Sequence, residues 1–352
     1  MTRNSNQIGK LVAAVLTVAC FFIVNLPTPG MTRPVGQSTA GPVEIVLPSG
    51  VTGGEIQKTL NSLPASGGEV FLPPGIFLVR QPLVLRRNNQ TLRGSGAKTV
   101  LRLADNANCP VIIMGESVNS PTNSLKHLCV CDLVIDGNRA NQSRELWKLS
   151  GEGSEIRNNG ITVQAVTDST VRNVVSAHNR SGGLVTTLCV RRLTVQNFES
   201  FDNEFDGLAC YLTEDSTFSG LYLHDNPGAG ISLDLAFNHN VISNATLNAN
   251  DLGIFMRSSH ENEFYGISIH DSKNHGIFMA QTENYVNGIA LPAPTTECSQ
   301  NSFTNLIAVD CGGAAFRVNN VSCTHNVIIA PRFDGNRSGN LSLAAPDLLT
   351  VR

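Results

Sequence analysis

Gly207-Leu208-Ala209-Cys210-Tyr211-Leu212-Thr213, Gly230-Ile231-Ser232-Leu233-Asp234-Leu235-Ala236 and Gly253-Ile254-Phe255-Met256-Arg257-Ser258-Ser259 are three copies of one unit. Each opens on glycine, is mostly apolar at its second and fourth positions, and varies freely at the third and fifth. A period of two marks a strand with one buried face. The unit also begins at Gly160, Gly183 and Gly276, so its spacings are 23, 24, 23, 23 and 23 residues. A second strand follows in each unit, as at Thr217–Leu223 and Glu263–Ile269, and Asp or Asn then marks a turn (Asp202-Asn203, Asp225-Asn226, Asn248, Asp271). No unit has the 3.6-residue period that a helical repeat needs. Coils of this length without helices stack their strands in parallel, each on the one before. The next match, Gly313 opening Gly-Ala-Ala-Phe-Arg-Val-Asn, comes 37 residues after Gly276. That spacing predicts one coil plus an insertion of about 14 residues, seen as Asn284 to Ser299.

The repeat also acts as a ruler for outward side chains. Its fifth positions are Gln164, Thr187, Tyr211, Asp234, Arg257, Ala280 and Arg317. Neighbouring strands lie roughly 4.8 Å apart, so Tyr211, Asp234 and Arg257 are expected in one row about 10 Å long. Beside it the third positions Ala209, Ser232, Phe255 and Phe278 form an apolar strip, and Asp206 and His275 stand just before opening glycines. Two insertions flank this face. Gly137 to Asn159 carries Trp147, the only tryptophan, and Asn284 to Ser299 follows a later strand. Carboxylates, cations and aromatic faces in a trough suit a sugar polymer. Asp206, Tyr211, Asp234, Arg257 and His275 are therefore the candidate catalytic residues, and Trp147, Phe255, Phe278 and Arg317 the candidate substrate contacts. For each residue alone an ordinary sheet-face role competes, since opposite charges on adjacent strands stabilise a sheet without any substrate. No ligand spacing indicates a metal or other cofactor; Asp206 with Asp234 would make only a sparse calcium site.

The chain divides into residues 1–30, a linker over 31–52, the repeat domain over 53–340 and a tail over 341–352. Arg3 and Lys10 precede the apolar run Leu11–Leu26, which at about 16 residues is short for a membrane span and reads as a signal peptide or signal anchor. A secreted or cell-envelope protein is expected, monomeric and with no membrane contact beyond that segment. A net charge of −3 gives no general attraction to nucleic acid. Cys129 and Cys131 alternate in phase with Leu133 and Ile135, and with Cys210 are expected as inward-facing core thiols. Cys298 and Cys323 fall at similar places on successive coils and are the pair to test as a disulfide.

Upstream, Gly67-Gly68-Glu69-Val70-Phe71-Leu72-Pro73-Pro74-Gly75-Ile76-Phe77 and Asn89-Gln90-Thr91-Leu92-Arg93-Gly94-Ser95-Gly96 resemble the opening coils of the pectin-lyase-like superfamily. Glu55 to Leu63, with Ile56, Leu60 and Leu63 on one face, looks like the short helix that caps such a fold. The resemblance implies an all-β, single-stranded right-handed parallel β-helix. From Asp206 to Asp234 the chain is similar to the catalytic modules of mannuronan (alginate) epimerases, with their Asp-Gly strand start, second strand and Asp-Asn turn in the same order. One coil earlier that family carries Gly-Phe-Asp-Pro-His, where this chain has Gly183-Leu184-Val185-Thr186-Thr187; its Arg-His before the next glycine is Gly228-Ala229 here. A carbohydrate-active protein acting on an acidic polysaccharide as a lyase or epimerase is the leading expectation. A non-catalytic glycan-binding or structural β-helix, and a glycoside hydrolase using Asp206 and Asp234, are the alternatives.

Overall fold

Leu83, Ile112, Ile161, Leu184, Leu208, Ile231, Ile254, Ile277, Phe316 and Leu341 occupy one place on successive coils, every step a parallel pairing. The structure is a computed structural model that describes residues 43–144, 156–282 and 297–352, together with the antiparallel strands Tyr285–Val286 and Ile289–Ala290. These residues form a parallel β-helix. Residues 1–42, and so the expected signal segment, lie outside the described residues, as do Trp147 and about half of each insertion. Among the described residues no helix is long and apolar enough to cross a membrane.

The second and fourth positions of each unit point inward as the alternation requires, and Ile231, Leu233, Ile254, Met256, Ile277 and Met279 have no solvent exposure. Phenylalanines fill the wider parts of the core, with Phe264 and Phe303 stacked at 4.4 Å between centroids. Polar side chains close the corners. Asn179, Asn203, Asn226 and Asn250 form a buried ladder in which each amide donates to the carbonyl oxygen of the next, at 2.7, 2.9 and 2.9 Å. Asn240, Asn262, Asn301 and Asn326 repeat the device at a second corner. Just before the members of the first ladder, His178, Asp202, Asp225 and Ala249 take positive φ, a conformation in which Asp and His are enriched.

Helix α1, Gly53–Ser62, covers the first coil with Ile56 and Leu60 buried, and Leu63 follows at its C-cap. Thr52 and Glu55 form a capping box, and the Gln57 amide group both accepts from Val84 N–H and donates to Val84 C=O. In this way a side chain satisfies the exposed strand edge. Leu60→Ala should lower stability by about 2–5 kcal/mol in chemical denaturation. Thr52→Ala should cost only about 1 kcal/mol. Equal losses would contradict the capping account.

Four expectations are corrected in detail. The solenoid overruns its expected bounds: Glu44–Val46 pairs with Gly68–Phe71, and Leu341–Leu343 and Leu349–Val351 pair within the last coils, so 341–352 is no free tail. Cys129 and Cys131 are out of phase with the inward face, although Cys131 is fully buried and Cys129 partly so. Asp132 adopts φ 59°, which shifts the phase, and Val130 stands inward between Leu92 and Val171, while Leu133 and Ile135 keep their inward places. Cys298 and Cys323 do adjoin one another in the core, but as free thiols sharing a hydrogen bond. Finally, Ile277 pairs with Phe316, 39 residues on, which puts Arg317 opposite Phe278 rather than Ala280. The two extra residues are absorbed at Gly313 and Ala314, where small side chains let both Ala314 and Ala315 be buried.

Candidate active site

Thr162, Val185, Ala209, Ser232, Phe255, Phe278 and Arg317 form the outward column of the opening strands. Its middle is small, so Ala209 and Ser232 leave a depression that the two phenylalanines border. Tyr211 pairs with Asp234 across adjacent strands, and Arg257 reaches back onto Asp234 from the next coil. Leu212, Leu235 and Ser258, the residues after these three, all have positive φ. An irregular register follows Tyr211, where Thr213 opposes Phe237. The backbone therefore turns immediately after each member of the row and leaves Tyr211, Asp234 and Arg257 at the sheet corner, a placement bulges often give to site residues.

A pocket of about 330 Å³ opens there, lined by Arg157, Ser181, Gly182, Val185, Phe205, Asp206, Ala209, Tyr211, Ser232, Asp234, Phe255 and Arg257. Asp234 is 2 % exposed, and both its oxygens are engaged. Oδ2 accepts from Arg257 Nε at 2.9 Å and from Nη2, while Oδ1 accepts from Leu235 N–H at 2.8 Å and from the Thr282 hydroxyl at 3.4 Å. The guanidinium of Arg257 also lies 5.1 Å over the Phe255 ring. A cation so held is oriented before any ligand arrives. Asp206 is turned to the backbone: its Oδ1 accepts from Ala229 N–H at 2.7 Å.

Of the expected residues, Asp206, Tyr211, Asp234, Arg257 and Phe255 meet in this pocket, and Trp147 lies outside the described residues. His275, Phe278 and Arg317 form a second group further along the same face. Phe278 stacks on Phe255 at 5.8 Å with the rings 5° from parallel, and Arg317 lies 5.6 Å over Phe278. His275 stacks on Phe278 at 5.9 Å between centroids, its Nε2 lies 3.4 Å from Arg317 Nη1, and its Nδ1 accepts from Ala314 N–H at 2.8 Å. Burial, and then the charge of Arg317, hold its pKa below the usual histidine value. The unfolded chain thus takes up this proton first. Stability contributed by His275 is complete above the ordinary value and is lost as pH falls through it toward the folded pKa. Arg317→Gln should raise the His275 pKa part of the way back in an NMR titration, and an unchanged value would contradict the pairing.

Arg157 and Phe205 escaped the sequence reading. Arg157 belongs to the end of the first insertion, three residues before Gly160, and the repeat gives no register there; yet it is 9 % exposed in the pocket wall. Phe205 adjoins Asp206 and carried its own signal only as an aromatic beside a candidate. Among the described residues no group of three or more His, Cys, Asp or Glu side chains converges as a metal site would.

The sequence pattern described as rhamnogalacturonase A/epimerase, pectate lyase-like matches residues 52–278. The chain belongs to this family. The pattern of the right-handed β-helix region matches residues 223–345 of this pectate lyase-like chain. No curated protein matches it. Among solved structures, the A-module of mannuronan C-5 epimerase AlgE4 from Azotobacter vinelandii is 16 % identical, with a TM-score of 0.46, over 85 % of this chain and 95 % of that one. The tailspike gp49 of the Acinetobacter baumannii bacteriophage Fri1, a capsular polysaccharide depolymerase, is 16 % identical with a TM-score of 0.53, over 88 % of this chain and 57 % of that one. The catalytic domain of a GH87 α-1,3-glucanase is 11 % identical with a TM-score of 0.55, over 91 % and 70 %. At such identities the likeness speaks for the fold.

Proposed function

We propose that this pectate lyase-like protein acts outside the cytoplasm on an acidic polysaccharide, by lyase or epimerase chemistry at carbon 5 of a uronate residue. The observation that carries this reading is the guanidinium of Arg257, fixed by the buried Asp234 next to Tyr211 in one pocket. Both reactions must neutralise the sugar carboxylate, take the carbon-5 proton, and protonate either the opposite face or the leaving oxygen. Arg257 neutralises the carboxylate, with Arg157 a second cation in the wall. Tyr211, in its phenolate form, takes the carbon-5 proton; it passes that proton to the leaving oxygen in a lyase, or solvent protonates the opposite face in an epimerase, and Asp234 keeps the guanidinium in position. Ser181 and Ser232 are within the lining to hold hydroxyls, and Phe255 offers a ring face to the sugar. The polysaccharide-acting tailspike and glucanase of like fold add support for a polysaccharide substrate, without bearing on its charge.

Hydrolysis by Asp206 and Asp234 fits less well. Asp234 is committed to Arg257, Leu235 and Thr282, and Asp206 to the next coil's backbone, so neither is placed as a mobile acid or nucleophile.

The test is a product assay on alginate, polygalacturonate and glycosaminoglycans. A lyase gives absorbance from a new carbon–carbon double bond, and an epimerase incorporates solvent deuterium at carbon 5. Tyr211→Phe should lower either signal by about 10²-fold or more. Reducing ends without unsaturation or deuterium would overturn the proposal in favour of hydrolysis, and binding without any product would favour a non-catalytic glycan-binding β-helix.

A further inference from the structure

The pocket is closed on one side, and on the other the described residues leave it accessible. Thr162 and Gln164 point outward by register, yet they are 0 % and 1 % exposed. Gln164 Nε2 donates to the carbonyl oxygen of Val118 at 2.8 Å and to that of Glu116, so this segment lies across the face. Asn159 donates to the Thr162 hydroxyl at 2.9 Å, and the Thr187 hydroxyl donates to Gln164 at 3.1 Å. The column and row that continue the pocket toward the N-terminal coils are therefore filled by the protein's own chain. Toward the C-terminal coils the side chains change character. Ser232 gives way to Phe255, Phe278 and Arg317, all partly exposed, with two parallel rings and a guanidinium over the second.

We infer that the pocket is a dead end that receives the terminus of an acidic polysaccharide, with the rest of the polymer leaving over Phe255 and Phe278 toward Arg317. The protein then works from a chain end and not on internal residues. This rests on the acidic-polysaccharide reading above and adds to it the mode of attack. A groove for internal residues needs an exit at both ends, and Gln164 with its two carbonyl partners occupies one of them. The three steps from Ser232 to Arg317 span about 14 Å at roughly 4.8 Å per coil. That length accommodates a few sugar residues beyond the pocket. Ring faces take the apolar sides of the sugars, and Arg317 meets a carboxylate that Arg257 cannot reach.

The test is calorimetric titration of the full chain with oligogalacturonates and oligomannuronates of increasing length, uncapped or carrying a bulky cap at one end or the other. A cap at one end should weaken binding at least about tenfold while the cap at the opposite end is tolerated. Affinity should rise with length until the chain reaches Arg317, and Arg317→Gln should abolish that rise. Tolerance of both caps by the wild-type protein would overturn the dead end while leaving the acidic-polysaccharide reading intact. Failure of every uncapped oligomer to bind would overturn that reading, and the inference with it.

Discussion

Arg257→Ala is expected to lower stability by about 3 kcal/mol and to abolish any activity of the pocket together. Asp234 is 2 % exposed and its carboxylate takes two hydrogen bonds from Arg257. Removing the cation leaves a buried carboxylate without its charge partner, a change that costs about 3–5 kcal/mol when the pair is fully buried. The Arg257 side chain keeps 30 % exposure, which places this pair at the lower end of that range. The Asp234→Ala/Arg257→Ala double variant should lose less than the sum of the two single losses, because neither partner then remains to be desolvated alone. Urea denaturation of all four proteins measures the coupling. A loss below about 1 kcal/mol for Arg257→Ala would mark an ordinary surface ion pair.

Asn226→Ala should be comparably damaging although it touches no part of the pocket. The Asn226 carbonyl oxygen accepts from the backbone and side-chain nitrogens of Asn203, and its amide donates to Asn250 and to Ser200 C=O. All of these groups are buried without access to water. Leaving even two of them unsatisfied, at about 1–3 kcal/mol each, gives a loss of roughly 3 kcal/mol. Asn248→Ala, two residues before the ladder member Asn250, should stay within about 0.5 kcal/mol. Hydrogen exchange supplies a local check: the Asn203 amide should lose its protection first. Equal effects at Asn226 and Asn248 would mean that the ladder carries no special share of the stability.

Most of this architecture is legible in the repeat itself. Period-two alternation over Gly207–Thr213 and its copies is imposed by burial of one strand face, and a slip of one residue would expose Ile231 and Leu233 together. The same constraint brought Tyr211, Asp234 and Arg257 into one row. It weakened wherever small residues or left-handed residues broke the count. Ala314 and Ala315 are both small enough to be buried, so the alternation could not reveal the two-residue shift that moves Arg317 beside Phe278. Asp132, at φ 59°, put Cys129 and Cys131 on the opposite phase from Leu133 and Ile135 for a related reason. Asn248 and Asn250 look equivalent in sequence, and only the pairing of His224 with Asn248 assigns the ladder to Asn250. Arg157 lay beyond reach altogether, because the end of an insertion has no register with the coils.

The central claim is that the corner at Tyr211, Asp234 and Arg257 holds an acidic sugar. It is tested most directly by a crystal structure of the protein with a uronate oligosaccharide. The account predicts a sugar carboxylate within hydrogen-bonding distance of Arg257, the Tyr211 phenol facing carbon 5 and a ring of the sugar chain against Phe255. A uronate bound elsewhere on the solenoid, with this pocket empty, would contradict it.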